Sequence, residues 1–261
     1  MDRGLLREAT RLSDLHAPYA LALIVGTEGS VPRERGGGML LRSDGTFLGT
    51  VGGARLEEEV KAGLRKAFTE REGALRHYEL RGWKAGSVPS RCGGSVDVAF
   101  EYVGGGPNVL IWGAGHVGRA LGRALSLLEY DHTVADDRPE FLTRDRFPSA
   151  RDLWAIEPAN LSSRVRSEGH RFSHAYVLGY DCEKDEEVLT GLLGTVDGPI
   201  GLIASRTKRG LTLKALRKRG IEPQQLARIR SPVGLPIGAE TPEEIALSIA
   251  AEVVRDSRGV P

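Results

Sequence analysis

Residues 109–140, VLIWGAGHVGRALGRALSLLEYDHTVADDRPE, constrain this chain more than any other stretch. A short apolar run, Val109-Leu110-Ile111-Trp112, reads as a buried strand and breaks directly into Gly113-Ala114-Gly115-His116-Val117-Gly118. In a strand-turn-helix that carries a dinucleotide, Gly113 permits the tight turn, Gly115 leaves no Cβ between backbone and pyrophosphate, and Gly118 lets the helix lie close on the sheet. Apolar residues at Val117, Leu121, Ala124, Leu125 and Leu128, three and four apart, give that helix one buried face. A second strand over 132–135 ends in Asp136-Asp137, and Asp136 stands about twenty residues beyond the glycines, where an acid accepts ribose hydroxyls of an adenine nucleotide. Arg138 leaves NAD and NADP both open. His116, inside the turn, is a candidate contact near the pyrophosphate or a cap of its own helix.

The order strand, glycines, helix, strand, acid predicts a Rossmann βαβ unit, and 261 residues leave an N-terminal block of domain size before it. Two domains are expected, 1–103 and 108–261, joined through Gly104-Gly105-Gly106-Pro107. The expected fold class is α/β, a small N-terminal α/β domain followed by a Rossmann-like parallel-sheet domain. Charges nearly cancel, 36 basic against 35 acidic residues, so the electrostatic footprint of a nucleic-acid binder is absent. The basic run over 208–219 reads as a solvated helix face. No apolar stretch is long enough for a membrane span, and the first residues lack a signal core, so a cytoplasmic protein without an export segment is expected. Two cysteines in different expected domains, Cys92 and Cys182, fit a reducing compartment.

In the N-terminal block a helix is predicted over 5–15, strands over 19–25, 39–42 and 47–51 around an Asp44-Gly45 turn, a helix over 55–70, and strands over 75–80 and 95–102. Its loops are more distinctive than its core. Arg33 and Arg35 precede the run Gly36-Gly37-Gly38, Arg55 follows Gly52-Gly53, and Arg91 precedes Cys92-Gly93-Gly94. Exposed backbone amides beside guanidinium forks are the parts of phosphate and oxyanion sites, and an anionic ligand is implied; the plainer reading is a set of tight turns. Glu57 neutralises the N-terminal dipole of its helix.

The second half is expected to continue with strands at 152–155, 175–178 and 199–204 and helices at 185–193 and 208–219. The strand ends at 179–185 and 205–208 then face the ligand side of a parallel sheet. Asp181 and Asp185 there are candidate general bases. Thr241-Pro242-Glu243-Glu244 opens a final amphipathic helix with a capping box. No histidine, serine or cysteine stands at the spacing of a hydrolytic triad.

Several segments together resemble the XdhC/CoxI family of accessory factors for molybdenum hydroxylases. They are Gly29-Ser30-Val31-Pro32-Arg33, Met39-Leu40-Leu41, Gly49-Thr50-Val51-Gly52-Gly53 with Glu57, and Cys92-Gly93-Gly94 with Glu101. Further along come Gly113-Ala114-Gly115-His116-Val117, Asp136-Asp137-Arg138-Pro139-Glu140, Arg146-Phe147-Pro148 and Ser231-Pro232-Val233-Gly234-Leu235, leading to Glu240-Thr241-Pro242-Glu243-Glu244-Ile245-Ala246. The resemblance spans about 19–253. It implies a cofactor-binding chaperone rather than a catalyst, one that binds molybdenum cofactor (molybdopterin), supports its sulfuration with a cysteine desulfurase as sulfur donor, and delivers it to an apo molybdenum hydroxylase of the xanthine or carbon monoxide dehydrogenase type. NAD(P) is expected as a second ligand and a homodimer as the assembly.

The pattern departs from the family at Gly179-Tyr180-Asp181-Cys182, where many members carry a histidine, and at Ala204, where a glycine is expected. Cys92, between Arg91 and two glycines, sits where cations and amides favour a thiolate, so it is a candidate molybdenum ligand or sulfur relay, against the plainer role of a small buried filler. Cys182, ahead of acids, is expected to be structural. The alternative function is an NAD(P)-dependent oxidoreductase, with Gly113, Gly115, Gly118 and Asp136 holding the nucleotide.

Overall fold

The computed structural model describes residues 2–33, 35–80, 88, 93–169 and 171–259. The chain divides into two compact units, Met1–Gly105 and Gly106–Pro261.

The first unit is a sheet with a helix on each face. Helix α1 (Arg3–Asp14) starts on Asp2, whose carboxylate accepts from the Gly4 and Leu5 N–H groups. Strands β1 (Tyr19–Glu28), β2 (Gly38–Arg42) and β3 (Phe47–Thr50) precede helix α2 (Ala54–Glu70), and β4 (Ala74–Glu79) and β5 (Ser95–Val103) follow it. The antiparallel order is β3-β2-β1-β5-β4. Alternation along a strand decides which helix each residue meets. Ala20, Ala22, Ile24, Met39 and Leu41 point to Leu56, Val60 and Leu64 of α2, while Tyr19 and Leu40 point to Leu5 and Leu12 of α1. Gly63 is required on α2 because a Cβ there would stand 2.5 Å from the Phe100 ring.

The second unit is a parallel sheet covered on both faces. Its strands are β6 (Asn108–Trp112), β7 (Asp131–Asp136), β8 (Asp152–Ala155), β9 (His174–Val177), β10 (Ile200–Leu202) and β11 (Ile229–Arg230), in the order β11-β10-β9-β6-β7-β8. Strands are added outward on one side of β6 and then on the other, so the carboxyl ends of β6 and β9 form the crevice where ligands of such sheets bind. Helices α3 (His116–Leu127) and α8 (Pro242–Ser257) pack Leu121, Leu125, Ile249 and Val253 onto Val109, Ile111 and Val134. On the other face α4 (Pro158–Glu168), α5 (Cys182–Leu193) and α6 (Arg206–Lys218) pack Leu161, Val188, Leu192 and Leu216 onto Leu110, Trp112 and Val177. Strands buried on both sides explain why β6 reads as an unbroken apolar run. Helix α8 carries the full Thr241/Glu244 capping box.

Four elements are not expected from the sequence pattern: the single 3-10 turn at Pro139–Phe141, α4, the short α7 (Pro223–Leu226) and β11. Among the described residues no helix is long and apolar enough to cross a membrane.

Candidate functional site

The turn between β6 and α3 separates its three glycines by role. Gly113 has φ +109°, and a Cβ on it would lie 2.5 Å from the Leu178 carbonyl oxygen; a Cβ on Gly118 would lie 1.9 Å from the Gly113 carbonyl oxygen. Both glycines are demanded by the fold itself. Gly115 is not: its φ is −69° and a Cβ would meet nothing within 4 Å. It is the N-cap of α3, and no side chain caps the helix. A backbone free of side chain over an uncapped helix start is the geometry of a pyrophosphate cradle. His116 is exposed at the first position of α3 and makes no cap.

Asp136 lies at the carboxyl end of β7 and is 1% exposed. Its Oδ2 accepts from the Ala114 N–H at 2.6 Å and Arg138 Nη2 at 2.9 Å, and its Oδ1 accepts from the Arg138 N–H and Nε, both at 2.9 Å. Burial by itself would raise its pKa; the Arg138 side chain and the two backbone donors outweigh that and hold the carboxyl below its ordinary value. The ribose acceptor expected from the sequence is thus closed by the chain's own arginine.

That guanidinium lies between the Phe141 and Tyr180 rings, 4.4 and 4.0 Å from their centroids. Arg146 stands over Phe141 at 5.1 Å and donates to the Ala114 carbonyl oxygen at 2.8 Å, while its Nε is buried without a partner among the described residues. Asp137 accepts from Lys184 Nζ and from the Tyr180 hydroxyl. The sequence singled out Arg146-Phe147-Pro148 and Asp137 without assigning them a role, and gave Phe141, Tyr180 and Lys184 none.

Beyond the crevice, Asp181 caps α5 through the Glu183 and Lys184 N–H groups. Asp185 is fully buried; desolvation raises its pKa, opposed by Lys208 Nζ at 2.7 Å. Its Oδ1 would stand 1.9 Å from a Cβ on Gly179, which is why that loop needs glycine. Cys182, expected to be structural, is an exposed free thiol at the first residue of α5.

In the first unit three loops meet. Cβ atoms on Gly52 (φ +75°) and Gly53 (φ +78°) would lie 3.2 and 3.3 Å from Pro32, and one on Gly52 would also lie 3.2 Å from Arg33 Cβ. Gly29 approaches Gly94 to 3.2 Å on the same measure, so the loop at 29–33 bridges both glycine pairs. Gly53 is the N-cap of the 17-residue α2 without a side-chain cap, and Glu57 in the first turn accepts from the Thr50 hydroxyl at 2.7 Å. Beside this helix start is a hollow of about 160 Å³ lined by Pro32, Gly53, Ala54, Arg55, Leu56, Leu80 and Val88. The structure therefore brings Gly53 and Arg55 to one hollow with Gly52 beside them and Gly93 adjoining through Gly94, whereas Arg33, whose Cβ stands against Gly52, runs its side chain over Gly37 and lines a separate hollow. Arg91 and Cys92 lie outside the described residues. Among those described, no group of three or more His, Cys, Asp or Glu residues is placed to hold a metal ion.

Fold and crevice together define a two-unit α/β protein whose second unit is a Rossmann domain with an open glycine turn. The chain belongs to the XdhC and CoxI family: residues 109–253 match the XdhC Rossmann domain and residues 13–79 match the XdhC and CoxI family model. The uncharacterized protein YqeB of Escherichia coli (strain K12) is 36% identical over 258 residues, 99% of this chain and 47% of that one. A probable xanthine dehydrogenase component from Bacillus subtilis (strain 168) is 32% identical over 156 residues, 59% of this chain and 44% of that one. The chain thus spans about half the length of the curated relatives it matches. A crystal structure of a xanthine dehydrogenase from Bacillus halodurans superposes with a TM-score of 0.51 at 22% identity, over 97% of this chain and 96% of that one, a likeness of fold.

Proposed function

We propose that this chain is a maturation factor for a xanthine dehydrogenase-type molybdenum hydroxylase, with the anionic pterin cofactor held in the first unit and a nucleotide in the second. The observation that carries the reading is the convergence of loops on α2. An uncapped helix start, two glycines at positive φ and Arg55 at the hollow fit the phosphate of a pterin cofactor. A hollow of about 160 Å³ is below the roughly 300–1,000 Å³ that encloses a whole drug-sized ligand, so it suits the phosphate end alone.

The cofactor, when bound, supplies the metal and sulfur chemistry. The chain's own part is to orient it: Gly52 and Gly53 let backbone approach the phosphate, Arg55 neutralises it, and Cys92 with Gly93 is assigned to the metal end. Sulfuration with a cysteine desulfurase as donor, transfer to the apo-hydroxylase, a homodimeric assembly and a cytoplasmic setting complete the proposal. The open turn at Gly115 favours a second reading, an NAD(P)-dependent oxidoreductase, which predicts turnover of NAD(P)H followed by absorbance.

The test is mass spectrometry of small molecules released from protein purified out of a molybdenum-replete host. Molybdopterin is expected from the wild type, and a reduction of about tenfold or more from Arg55→Ala, the weight of one hydrogen bond to a charged group. Wild-type protein free of pterin, with its fold intact, would overturn the reading.

A further inference from the structure

The carboxyl end of the second Rossmann strand is where the adenosine ribose is read: an acid there accepts the diol, and an arginine there takes a ribose phosphate. This chain has both residues, and the structure decides between them. A carboxylate has about four lone-pair positions. All four on Asp136 are filled, by the Ala114 N–H at 2.6 Å and by three donors of Arg138 at 2.9 Å each. Nothing remains for a diol.

The clasp is well held. It is bidentate and charge-assisted, the acid is 1% exposed, and the guanidinium is enclosed by two rings at 4.4 and 4.0 Å. Its Nε and Nη2 are turned to Asp136, which leaves Nη1 without a hydrogen-bond partner among the described residues. The surrounding charges add to this. Asp137 matches Lys184 and also lies 4.0 Å from Arg138 Nε, whereas Arg146 has a backbone carbonyl and the Phe141 ring as partners and no carboxylate among the described residues, so it is the cation of this cluster without an acid. The crevice therefore offers a ribose a fixed cation in place of a free acid.

We propose that the second unit selects an adenine nucleotide bearing a phosphate on its ribose, an NADP-type ligand over an NAD-type one, with Arg138 as the specificity-determining residue. The proposal rests on the nucleotide reading of the glycine turn. Asp136 then acts as a positioning residue: it fixes the guanidinium fork and ties it to the turn through Ala114.

Calorimetry with NADP, NAD, adenosine 2′,5′-bisphosphate and AMP, at one ionic strength, tests it. The two ligands with a ribose 2′-phosphate are expected to bind roughly 10- to 100-fold more tightly than their counterparts, the range of a charged hydrogen bond expressed as affinity. Arg138→Ala is expected to abolish or invert the ratio, because Asp136 is then free to accept a diol. The ratio is taken on one preparation, so a partly unfolded sample does not distort it. Equal or tighter binding of NAD by the wild type would overturn the selectivity and leave the nucleotide reading standing. Failure of all four ligands to bind a folded protein would overturn both.

Discussion

Single glycines in this chain divide into those the backbone needs and those it does not. Gly113 and Gly118 belong to the first group, through a φ of +109° and a Cβ position 1.9 Å from a carbonyl oxygen respectively. Gly115 belongs to the second, since its backbone suits any residue and its Cβ direction is empty. Gly113→Ala is therefore expected to cost at least about 2 kcal/mol, from strain and overpacking. Gly115→Ala is expected to change stability by under about 0.5 kcal/mol, as a surface substitution does, while weakening nucleotide binding tenfold or more. Urea denaturation paired with calorimetry checks both; a Gly115→Ala protein that binds nucleotide like the wild type would remove the ligand role of that glycine.

The joint between β9, β11 and α8 shows how a buried charged cluster ties elements together and sets a pH limit. His174 Nε2 lies 3.2 Å from Asp256, the Tyr176 hydroxyl donates to Glu252 at 3.2 Å, and Arg230 reaches both acids. Burial lowers the pKa of His174 against the pull of Asp256, whose charge Arg230 and Arg255 already share; burial likewise lowers that of His132 on β7. A histidine whose folded pKa is depressed contributes stability above its unfolded value, about 6.5, and loses it as pH falls below that. Urea midpoints are expected to drop between pH 7.5 and 5.5, less so in His174→Gln; a midpoint that rises on acidification would contradict this. At this scale the sequence was legible where apolar spacing is strong, as in β6, α3 and β7. It was silent on α4, which buries only Pro158, Leu161 and Val165 and is interrupted by Ser162-Ser163, and on the two-residue β11. The meeting of Pro32 with Gly52 and Gly53, and of Arg138 with Tyr180, joins segments far apart in the chain, so no local pattern announces either.

For the whole molecule, the proposed maturation role makes one demand that a nicotinamide-dependent dehydrogenase does not: a second protein must gain activity. The cradle on α2 and the arginine clasp on β7 lie in different units, so each can be disabled by itself. The most direct measurement co-expresses a xanthine dehydrogenase-type hydroxylase with the wild-type chain, with Arg55→Ala, or with no such chain, and records both hydroxylase activity and hydroxylase protein. The account predicts equal amounts of hydroxylase in all three, with activity high beside the wild type and lower beside Arg55→Ala and in the absence of the chain. Full hydroxylase activity in cells lacking this chain would contradict it.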